Sequence, residues 1–408
     1  MNVLFVSGLD FKEKSIQVIR KTPEYYAKKN CTVDYVVARD NLSNGNYFYE
    51  EEINPEGVNV HRIYWSFPGV RANLSRFFSL ALTKISACIV VIKLFLLAKK
   101  LLKKNDYDVI YGYEIHGVLA VYLLKKCGLV GGSKIVSRFQ GSFLNEMIEK
   151  RQFARIVFNI DAILAMKADC DLMVLTDDGT KADEALRKIN AKARYIFVPN
   201  GVDMPPTNTL AKQAKIDTFN NARITCISVS RLVGWKRVDR CLSVFKELCA
   251  HKGIEAEYLI LGDGEEKENL ESVARRLGID HLVKFLGAVN QSEVFKYIAA
   301  SDVFLSMYDH SNVANPLFEA MRLNKLIVTV NNGSTGLWIK HMNNGLIYNE
   351  DSIDAKKISD DIVFLVSSEV ERSSLLSNLS KTADEKLWTW DQRLQYEYQA
   401  VSALISGR

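Results

Sequence analysis

The sequence has no long hydrophobic run and no pair of cysteines at metal-binding spacing. In its most apolar segment the longest uncharged stretch, residues 85–92, is far shorter than the roughly 18 residues that a membrane-spanning helix needs. The seven cysteines are scattered and contain no C-x-x-C pair, which argues against a disulfide or zinc framework and favours reduced thiols. The opening MNVLFVSGLDF has no basic region before an apolar core. It therefore predicts a β-strand rather than a signal peptide, and a cytoplasmic protein.

The charge is unevenly distributed along the chain. Residues 1–200 hold 29 Lys+Arg and 21 Asp+Glu, and the remainder holds 24 and 27, so the net charge of +5 comes from the first half. A nucleic-acid-binding protein is usually more basic and has aromatic side chains among its basic ones. This sequence shows no such platform, so no nucleic-acid partner is expected.

The basic surplus is concentrated in residues 70–105, which carry no acidic residue. The eight basic residues of this segment are Arg71, Arg76, Lys84, Lys93, Lys99, Lys100, Lys103 and Lys104. Between them lies the apolar sequence FFSLALTKISACIVVIKLFLLA. Two interpretations stay open: a long helix packed on the first sheet, or a helix whose basic and apolar surface meets an anionic membrane.

Strand and helix patterns alternate through both halves of the chain. A chain of 408 residues predicts two domains, and the alternation predicts a parallel, doubly wound sheet in each. One long helix is expected over about residues 145–167. Three of the seven prolines cluster in PNGVDMPP, residues 199–206, which marks a domain boundary. The predicted domains are therefore 1–199 and 200–380, followed by residues 381–408.

Residues 301–330 form the strand–loop–helix–strand unit around which the second half is organised. Pro316 is predicted at the first position of the helix, where a residue without an N–H is tolerated, and Glu319 follows one turn further in. A helix that begins at the end of a strand suits a phosphate group, because unpaired N–H groups and the helix dipole point toward it. This unit is therefore a candidate anion site.

Four motifs appear in order in the second half: SRLVGWK, GDGEE, KFLGAV and NPLFEAM. As an ordered set they resemble the retaining family-four glycosyltransferases, the glycosyl transferases group 1 type. The resemblance covers nearly the whole chain, including PNGVD and the late LWTWDQR segment. It implies the GT-B fold, an α/β architecture of two facing Rossmann-like doubly wound domains with a cleft between them. It also implies that residues 381–408 contain a helix that crosses back to the first domain.

Arg231 and Lys236 lie five residues apart in a loop after a strand, where both side chains can converge on one anion. An arginine offers bidentate geometry and a lysine a point charge, and two cations can stabilise the charge that develops on a departing diphosphate. A solvated basic loop is the alternative. The resemblance implies that both residues bind the donor diphosphate.

The resemblance assigns further residues to the donor and the acceptor. Glu319 matches the glutamate that binds the donor's ribose hydroxyls, for which a carboxylate is a suitable acceptor, although a helix-start glutamate favoured by the dipole is the alternative. The residues expected near the nucleotide and its phosphates are Gly8, Gly262, Gly264, Val289, Pro316, Leu317 and Phe318. Glu114, His116 and Gln140 follow strand ends in the first half and are the acceptor-side candidates; a structural role is the alternative for His116.

The sequence departs from the family pattern at two places. A second glutamate usually lies eight positions before Glu319, near the donor sugar, and here that position is Ser311, followed by Asn312. Some members carry a histidine where this chain has Gln140. These changes affect the expected sugar contacts, for which Ser311 and Asn312 are the candidate donor-binding residues, and leave the diphosphate and ribose contacts in place.

The sequence thus predicts a cytoplasmic glycosyltransferase that uses a nucleotide-diphosphate sugar and a glycan or lipid-linked acceptor, in bacterial polysaccharide or lipopolysaccharide assembly. No metal or cofactor is implied, since no Asp-x-Asp motif occurs where a donor diphosphate would need one. The 70–105 segment suggests a peripheral position at the inner face of the plasma membrane. A degenerate glycosyltransferase that serves as a partner or scaffold subunit, and a sugar-nucleotide epimerase of the same fold, are the alternatives.

Overall fold

The computed structural model describes residues 1–11, 18–40, 52–65, 76–203 and 223–407. Residues 70–75 of the basic segment and the boundary prolines Pro205 and Pro206 lie outside the described residues. The chain forms two compact units: the first comprises Met1–Asp177, Lys181–Val198 and Gln392–Arg408, and the second comprises Asp178–Thr180 and Pro199–Asp391. Of the predicted crossing segment 381–408, residues 392–408 belong to the first unit.

The first unit is built on a seven-stranded sheet. Its strands are β1 (Asn2–Ser7), β2 (Thr32–Asp40), β3 (Val58–Trp65), β4 (Val109–Tyr113), β5 (Lys134–Phe139), β6 (Leu172–Asp177) and β7 (Tyr195–Pro199). The strand order is β3-β2-β1-β4-β5-β6-β7, and the ladders from β3 through β6 are parallel. Val3 and Phe5 pack on one face of the sheet and Leu4 and Val6 on the other. Burial on both faces explains why β1 is apolar throughout.

Helices cover this sheet. They are α1 (Val18–Lys28), α2 (Arg76–Leu102), α3 (Glu114–Lys126), α4 (Leu144–Glu149), α5 (Phe153–Phe158), α6 (Ile160–Met166) and α7 (Ala182–Lys188). The prediction of one helix over 145–167 is wrong, because three short helices occupy this stretch. Arg151 adopts a left-handed conformation with φ of 49°, and Gln152 and Asn159 are non-helical at the starts of α5 and α6. None of the helices among the described residues is long and apolar enough to cross a membrane.

The second unit repeats the architecture with six strands. They are β8 (Arg223–Val229), β9 (Glu255–Leu261), β10 (Val283–Gly287), β11 (Val303–Ser306), β12 (Leu326–Asn331) and β13 (Leu346–Asn349). The order is β10-β9-β8-β11-β12-β13, and every pairing is parallel. The helices are α8 (Val238–Cys249), α9 (Lys267–Arg276), α10 (Gln291–Ala299), α11 (Asn315–Arg322), α12 (Thr335–Trp338), α13 (Ala355–Ser367) and α14 (Glu369–Lys386).

The helix α15 (Trp390–Ile405) belongs to the first unit from Gln392 onward. A buried ionic cluster anchors it there. Glu397, which is fully buried, accepts hydrogen bonds from the guanidinium groups of Arg138 and Arg393 and from the Tyr111 hydroxyl. Burial alone would raise the pKa of Glu397, but the two guanidinium groups outweigh it and hold this pKa below its usual range. A buried charge with such partners fixes α15 against β4 and β5.

Candidate active site

Both sheets reverse their strand order at one place, and the predicted site residues cluster there. In the first unit the reversal lies between β1 and β4, and in the second between β8 and β11. In open parallel sheets such a reversal leaves a crevice at the carboxyl ends of the two central strands, where ligands bind. Gly8 and Glu114 follow the first pair of strands, and Arg231 and Tyr308 follow the second.

The loop after β8 positions Arg231 and Lys236. Leu232 N donates to the Asp263 carbonyl at 2.9 Å, and Lys236 ends a one-turn 3₁₀ helix in which its N–H donates to the Val233 carbonyl, also at 2.9 Å. The Arg231 side chain is exposed. Among the residues that the structure describes, no carboxylate lies within ion-pair distance of Arg231 or Lys236. Two cations without a paired carboxylate form a site that favours an anion.

Aromatic rings hold Lys236. Its Nζ lies 4.0 Å from the centre of the Trp235 ring and 3.5 Å from that of Tyr308, close enough for cation–π attraction. Burial is the main cause that lowers the pKa of Lys236, and the Arg231 guanidinium lowers it further, while the Asp178 carboxylate opposes both. The repulsion between the two cations is relieved when an anion binds between them. Sequence reasoning missed Trp235 and Tyr308, although one precedes Lys236 directly and the other follows β11.

The predicted donor glycines contact the Arg231 loop. A Cβ on Gly262 would lie 1.7 Å from the Ser230 carbonyl oxygen, and a Cβ on Gly264 would lie 2.3 Å from that of Leu232. These glycines therefore let the Arg231 loop pack against the end of β9. Val289, predicted near the base, is partly buried against the core of the second unit. Contact of these residues with a nucleotide stays a prediction.

Helix α11 begins as predicted, with Pro316 in its first turn after the extended Ala314. The Phe318 N–H donates to the Ala314 carbonyl at 3.2 Å, so this N–H is engaged in the helix itself. The side chains of Leu317 and Phe318 are buried, and the Phe318 ring packs 4.6 Å from that of Trp338. A phosphate role for Leu317 or Phe318 would have to come from the main chain, and it stays a prediction.

Glu319 is a buried carboxylate with an unsatisfied oxygen. It is only 1% exposed, and its Oε1 accepts a hydrogen bond of 2.7 Å from Gln291 Nε2. Its Oε2 is buried without a hydrogen-bond partner. Burial raises the pKa of Glu319 to about 7, although the Gln291 bond acts in the opposite direction. A buried acceptor in this state is costly unless a ligand donates to it.

The loop between β11 and α11 uses both residues that depart from the family pattern. Ser311 Oγ donates to the Asp178 carbonyl at 2.9 Å and accepts from Val313 N at 3.1 Å. The fully buried Asn312 side chain accepts from Ser306 Oγ and Tyr308 N, and it donates to the Val330 carbonyl and Asn332 Oδ1. These contacts fix the loop, and a donor contact by either side chain stays a prediction.

In the first unit, the acceptor-side candidates meet at the carboxyl ends of β4 and β5. Glu114 adopts a left-handed conformation with φ of 57°, and its Oε1 accepts a 2.7 Å hydrogen bond from Gln140 N. The Tyr113 hydroxyl donates to Gln140 Oε1 at 3.2 Å. His116 lies against Gly8, since a Cβ on Gly8 would be 2.8 Å from His116 Nδ1. Burial lowers the pKa of His116, Asp161 raises it and Lys84 lowers it.

Comparison with solved structures identifies the fold. Sucrose-phosphate synthase from Thermosynechococcus elongatus superposes with a TM-score of 0.73 at 14% identity, over 100% of both chains. HepE from Anabaena in complex with UDP-glucose gives a TM-score of 0.66 at 15% identity, over 100% of both chains. The predicted fold class is confirmed: the chain has the GT-B fold, with two Rossmann-like units.

Comparison by sequence finds glycosyltransferases that resemble part of the chain. The model described as "Glycosyl transferases group 1" matches residues 211–385. An uncharacterized glycosyltransferase of Haemophilus influenzae is 28% identical over 202 residues, which are 49% of this chain and 53% of that protein. The lipopolysaccharide core biosynthesis glycosyltransferase LpsE of Rhizobium meliloti is 29% identical over 136 residues, 33% of this chain and 37% of that protein. The matches thus span about half or less of these relatives. The match to the glycosyl transferases group 1 model thus falls within the second half of the chain.

Proposed function

We propose that the protein is a retaining glycosyltransferase that moves a sugar from a nucleotide-diphosphate sugar to a glycan or lipid-linked acceptor. The observation that carries the proposal is the pair Arg231 and Lys236, two cations without a paired carboxylate among the described residues, at the strand-order reversal of the second unit. A diphosphate is the ligand class that such a pair suits best. The complex of HepE with UDP-glucose supports a nucleotide-sugar donor.

In the proposed reaction the bond between the anomeric carbon and the diphosphate oxygen breaks while the acceptor hydroxyl bonds to the same face of that carbon. Arg231 and Lys236 stabilise the negative charge that grows on the departing diphosphate, and this group takes the proton of the attacking hydroxyl. Since attack and departure share one face, the anomeric configuration is retained. In this mechanism no group of the protein acts as the base, and no metal or cofactor takes part.

The Glu319 carboxylate is proposed to receive the two ribose hydroxyls of the donor. Its unsatisfied Oε2 supports this role, because a hydroxyl that donates to it would remove the cost of a buried acceptor. The partner bond from Gln291 holds the other oxygen and thereby orients the carboxylate. Donor binding would then favour the ionised form of Glu319.

The acceptor is proposed to bind at the first unit, beside Glu114, His116 and Gln140. The left-handed Glu114 supports a functional role, since strained backbone persists at sites where the surrounding structure requires it. The name of the Rhizobium relative points to lipopolysaccharide or a related polysaccharide as the product class. A cytoplasmic enzyme that works on a lipid-linked acceptor would act at the inner face of the plasma membrane.

A donor panel tests the proposal. UDP-, GDP- and ADP-sugars are incubated with the purified protein, and release of nucleoside diphosphate is measured. We expect release with one donor class. The second candidate function is a scaffold subunit, which the replacement of the sugar-side glutamate by Ser311 favours. It would be supported if the folded protein released no diphosphate from any donor and bound a protein partner. Epimerisation without transfer would favour the epimerase.

Trp235→Leu is expected to lower kcat/KM for the donor by about 3- to 30-fold, as expected when one cation–π contact with Lys236 is lost. Trp235→Phe keeps a ring and should restore most of the activity. A wild-type kcat/KM in Trp235→Leu would show that Trp235 does not position Lys236.

Ser311→Ala should lower the unfolding free energy of the second unit by about 1 kcal/mol, since the bond to the Asp178 carbonyl is lost. Ser311→Glu, which introduces the family residue, should cost about 1–3 kcal/mol. A larger side chain has little room here, because a Cβ on Gly179 would already lie 2.0 Å from Ser311 Oγ. Urea unfolding measures both effects. Faster transfer by stably folded Ser311→Glu would contradict the structural role.

A further inference from the structure

The first unit exposes an unusual amount of apolar side chain on α5 and α6. No residue of α5 is buried; Phe153 and Val157 are 70% and 72% exposed. They lie four positions apart and therefore on one side of α5. Ile160 and Leu164 repeat this spacing on α6, and both are more than half exposed. Monomeric proteins seldom leave several large apolar side chains together in water unless something binds there.

Helix α2 adds a second apolar stripe. Its inward side contributes Val91, Leu94, Ala98 and Leu101 to the core of the first unit. Its outward side is also apolar, because Ile85, Ile92 and Leu96 are each more than half exposed. These positions recur at intervals of four and seven residues and so share one side of the helix. Packing on the first sheet therefore explains the apolar residues on the inward side of α2 but not those on its outward side.

The two stripes meet at Lys84. Its Nζ lies 2.8 Å from Asp161 Oδ1 on α6 and 4.7 Å from the centre of the Phe158 ring on α5. We name the combined surface the apolar face, formed by Ile85, Ile92, Leu96, Phe153, Val157, Ile160 and Leu164. It lies near the acceptor-side residues, because α3, which carries His116, packs against both α2 and α6.

The charged residues within α2, α5 and α6 are almost all basic. Asp161 is the single acidic residue in the sequences of α2, α5 and α6, and it is paired with Lys84. The basic residues of these helices are Arg76, Lys84, Lys93, Lys99, Lys100 and Arg155, and their flanks add Lys103, Lys104, Arg151 and Lys167 beside the acidic Asp106, Glu149 and Asp169. Apolar side chains surrounded by basic ones match the interface of an anionic bilayer, where acyl chains lie beneath negative headgroups.

We propose that the apolar face is a membrane-docking surface that inserts Phe153, Val157, Ile160 and Leu164 between the headgroups of an anionic phospholipid bilayer, with α2 lying along the surface. This places the acceptor-side residues of the first unit beside the bilayer, where the head of a lipid-linked acceptor is found. The link to the acceptor rests on the proposed function, whereas docking itself does not.

Vesicle co-sedimentation of the full chain tests the proposal. The vesicles contain phosphatidylcholine alone or phosphatidylcholine with phosphatidylglycerol, and the variant is Phe153→Ser with Val157→Ser. Because both side chains are largely exposed, the variant should fold normally. Its partition onto anionic vesicles should fall by at least about tenfold, as expected for the loss of two inserted side chains. Phe364→Ser with Val370→Ser is the matched control, since these side chains are 53% and 78% exposed in the second unit.

A charge variant tests the second half of the proposal. Replacement of Lys99, Lys100, Lys103 and Lys104 by glutamine should weaken partition onto anionic vesicles by about tenfold or more. Partition onto neutral vesicles should not change. Added salt should reproduce this loss.

Three outcomes would overturn the proposal. The wild-type protein could fail to co-sediment with anionic vesicles, or the Phe153/Val157 variant could bind as well as the control. The third is a wild-type dimer that this variant dissociates and that binds no vesicles, since a second copy would then cover the apolar face. Nucleoside diphosphate binding, measured by calorimetry on the same proteins, separates the two proposals. Vesicle binding without nucleotide binding would refute the donor assignment alone.

Discussion

Arg231→Ala is expected to lower the rate of sugar transfer by about 10²–10³-fold and to leave the fold intact. The size is that of a lost electrostatic contact to charge that develops in a transition state. In the proposed site Arg231 would donate two N–H groups to the departing diphosphate, a geometry that Lys236 alone cannot provide. Since the Arg231 side chain is exposed and contributes nothing to the core, the unfolding transition should not change. Initial rates of diphosphate release with a saturating acceptor measure the effect.

Two further variants separate charge from geometry at this position. Arg231→Lys keeps the charge and loses the bidentate contact, so its rate should lie between those of the wild type and Arg231→Ala. Arg276→Ala, which removes an exposed arginine from α9 in the same unit, should transfer at the wild-type rate. A wild-type rate of transfer by Arg231→Ala would contradict the proposed role of Arg231 in the donor site.

Glu319→Gln should have opposite effects on stability and on donor binding. The folded protein raises the pKa of Glu319 from 4.5 to about 7, so between these values the folded state binds more protons than the unfolded state. The free energy of unfolding therefore falls as the pH rises from about 4.5 to 7. Glutamine removes this penalty, and the variant should be more stable than the wild type at pH 8, by up to about 3 kcal/mol. Urea unfolding at pH 5 and pH 8 measures the difference.

The affinity of Glu319→Gln for the donor nucleotide should decrease, although its stability increases. Ribose hydroxyls that donate to Glu319 favour its ionised form, so the affinity of the wild type for the nucleoside diphosphate should increase as the pH rises through about 7. Glu319→Gln should bind about 10- to 100-fold more weakly at pH 8, the cost of a lost hydrogen bond to a charged acceptor, and show little of this pH dependence. Calorimetric titration at pH 6 and pH 8 gives both values. Glu268→Gln, on the exposed side of α9, is the control.

Equal nucleotide affinity for the wild type and Glu319→Gln at pH 8 would contradict the ribose assignment. Glu319 would then be a buried glutamate held by Gln291 for structural reasons alone. If Glu319→Gln were more stable than the wild type and bound the nucleotide equally well, a purely structural role would be supported. Burial of the carboxylate would then cost stability without improving nucleotide binding.

The strand–helix alternation and the start of α11 could be predicted from the sequence because they depend on local signals. Apolar runs mark strands that are buried on both faces, and Pro316 marks the first turn of a helix. Parallel connectivity then places Arg231 and the loop after β11 at neighbouring strand ends. The general location of the proposed donor site therefore follows from residue order.

The sequence could not predict features that depend on distant partners or on a single backbone conformation. The break at Arg151 is one, because this arginine adopts a left-handed conformation that its residue type does not signal. The Glu397 cluster joins residues more than 250 positions apart. The contact of Ser311 with the Asp178 carbonyl spans 133 positions. The outward apolar side of α2 could be seen only once the packed side of that helix was known.

Mass spectrometry of the acceptor after incubation with the donor panel tests the central claim most directly. The acceptor is a membrane or polysaccharide extract, and wild-type protein, Arg231→Ala and Arg276→Ala are compared in parallel. The predicted result is an acceptor heavier by one sugar residue with the wild type and Arg276→Ala, and almost none with Arg231→Ala. The same product yield from wild type and Arg231→Ala would contradict the account.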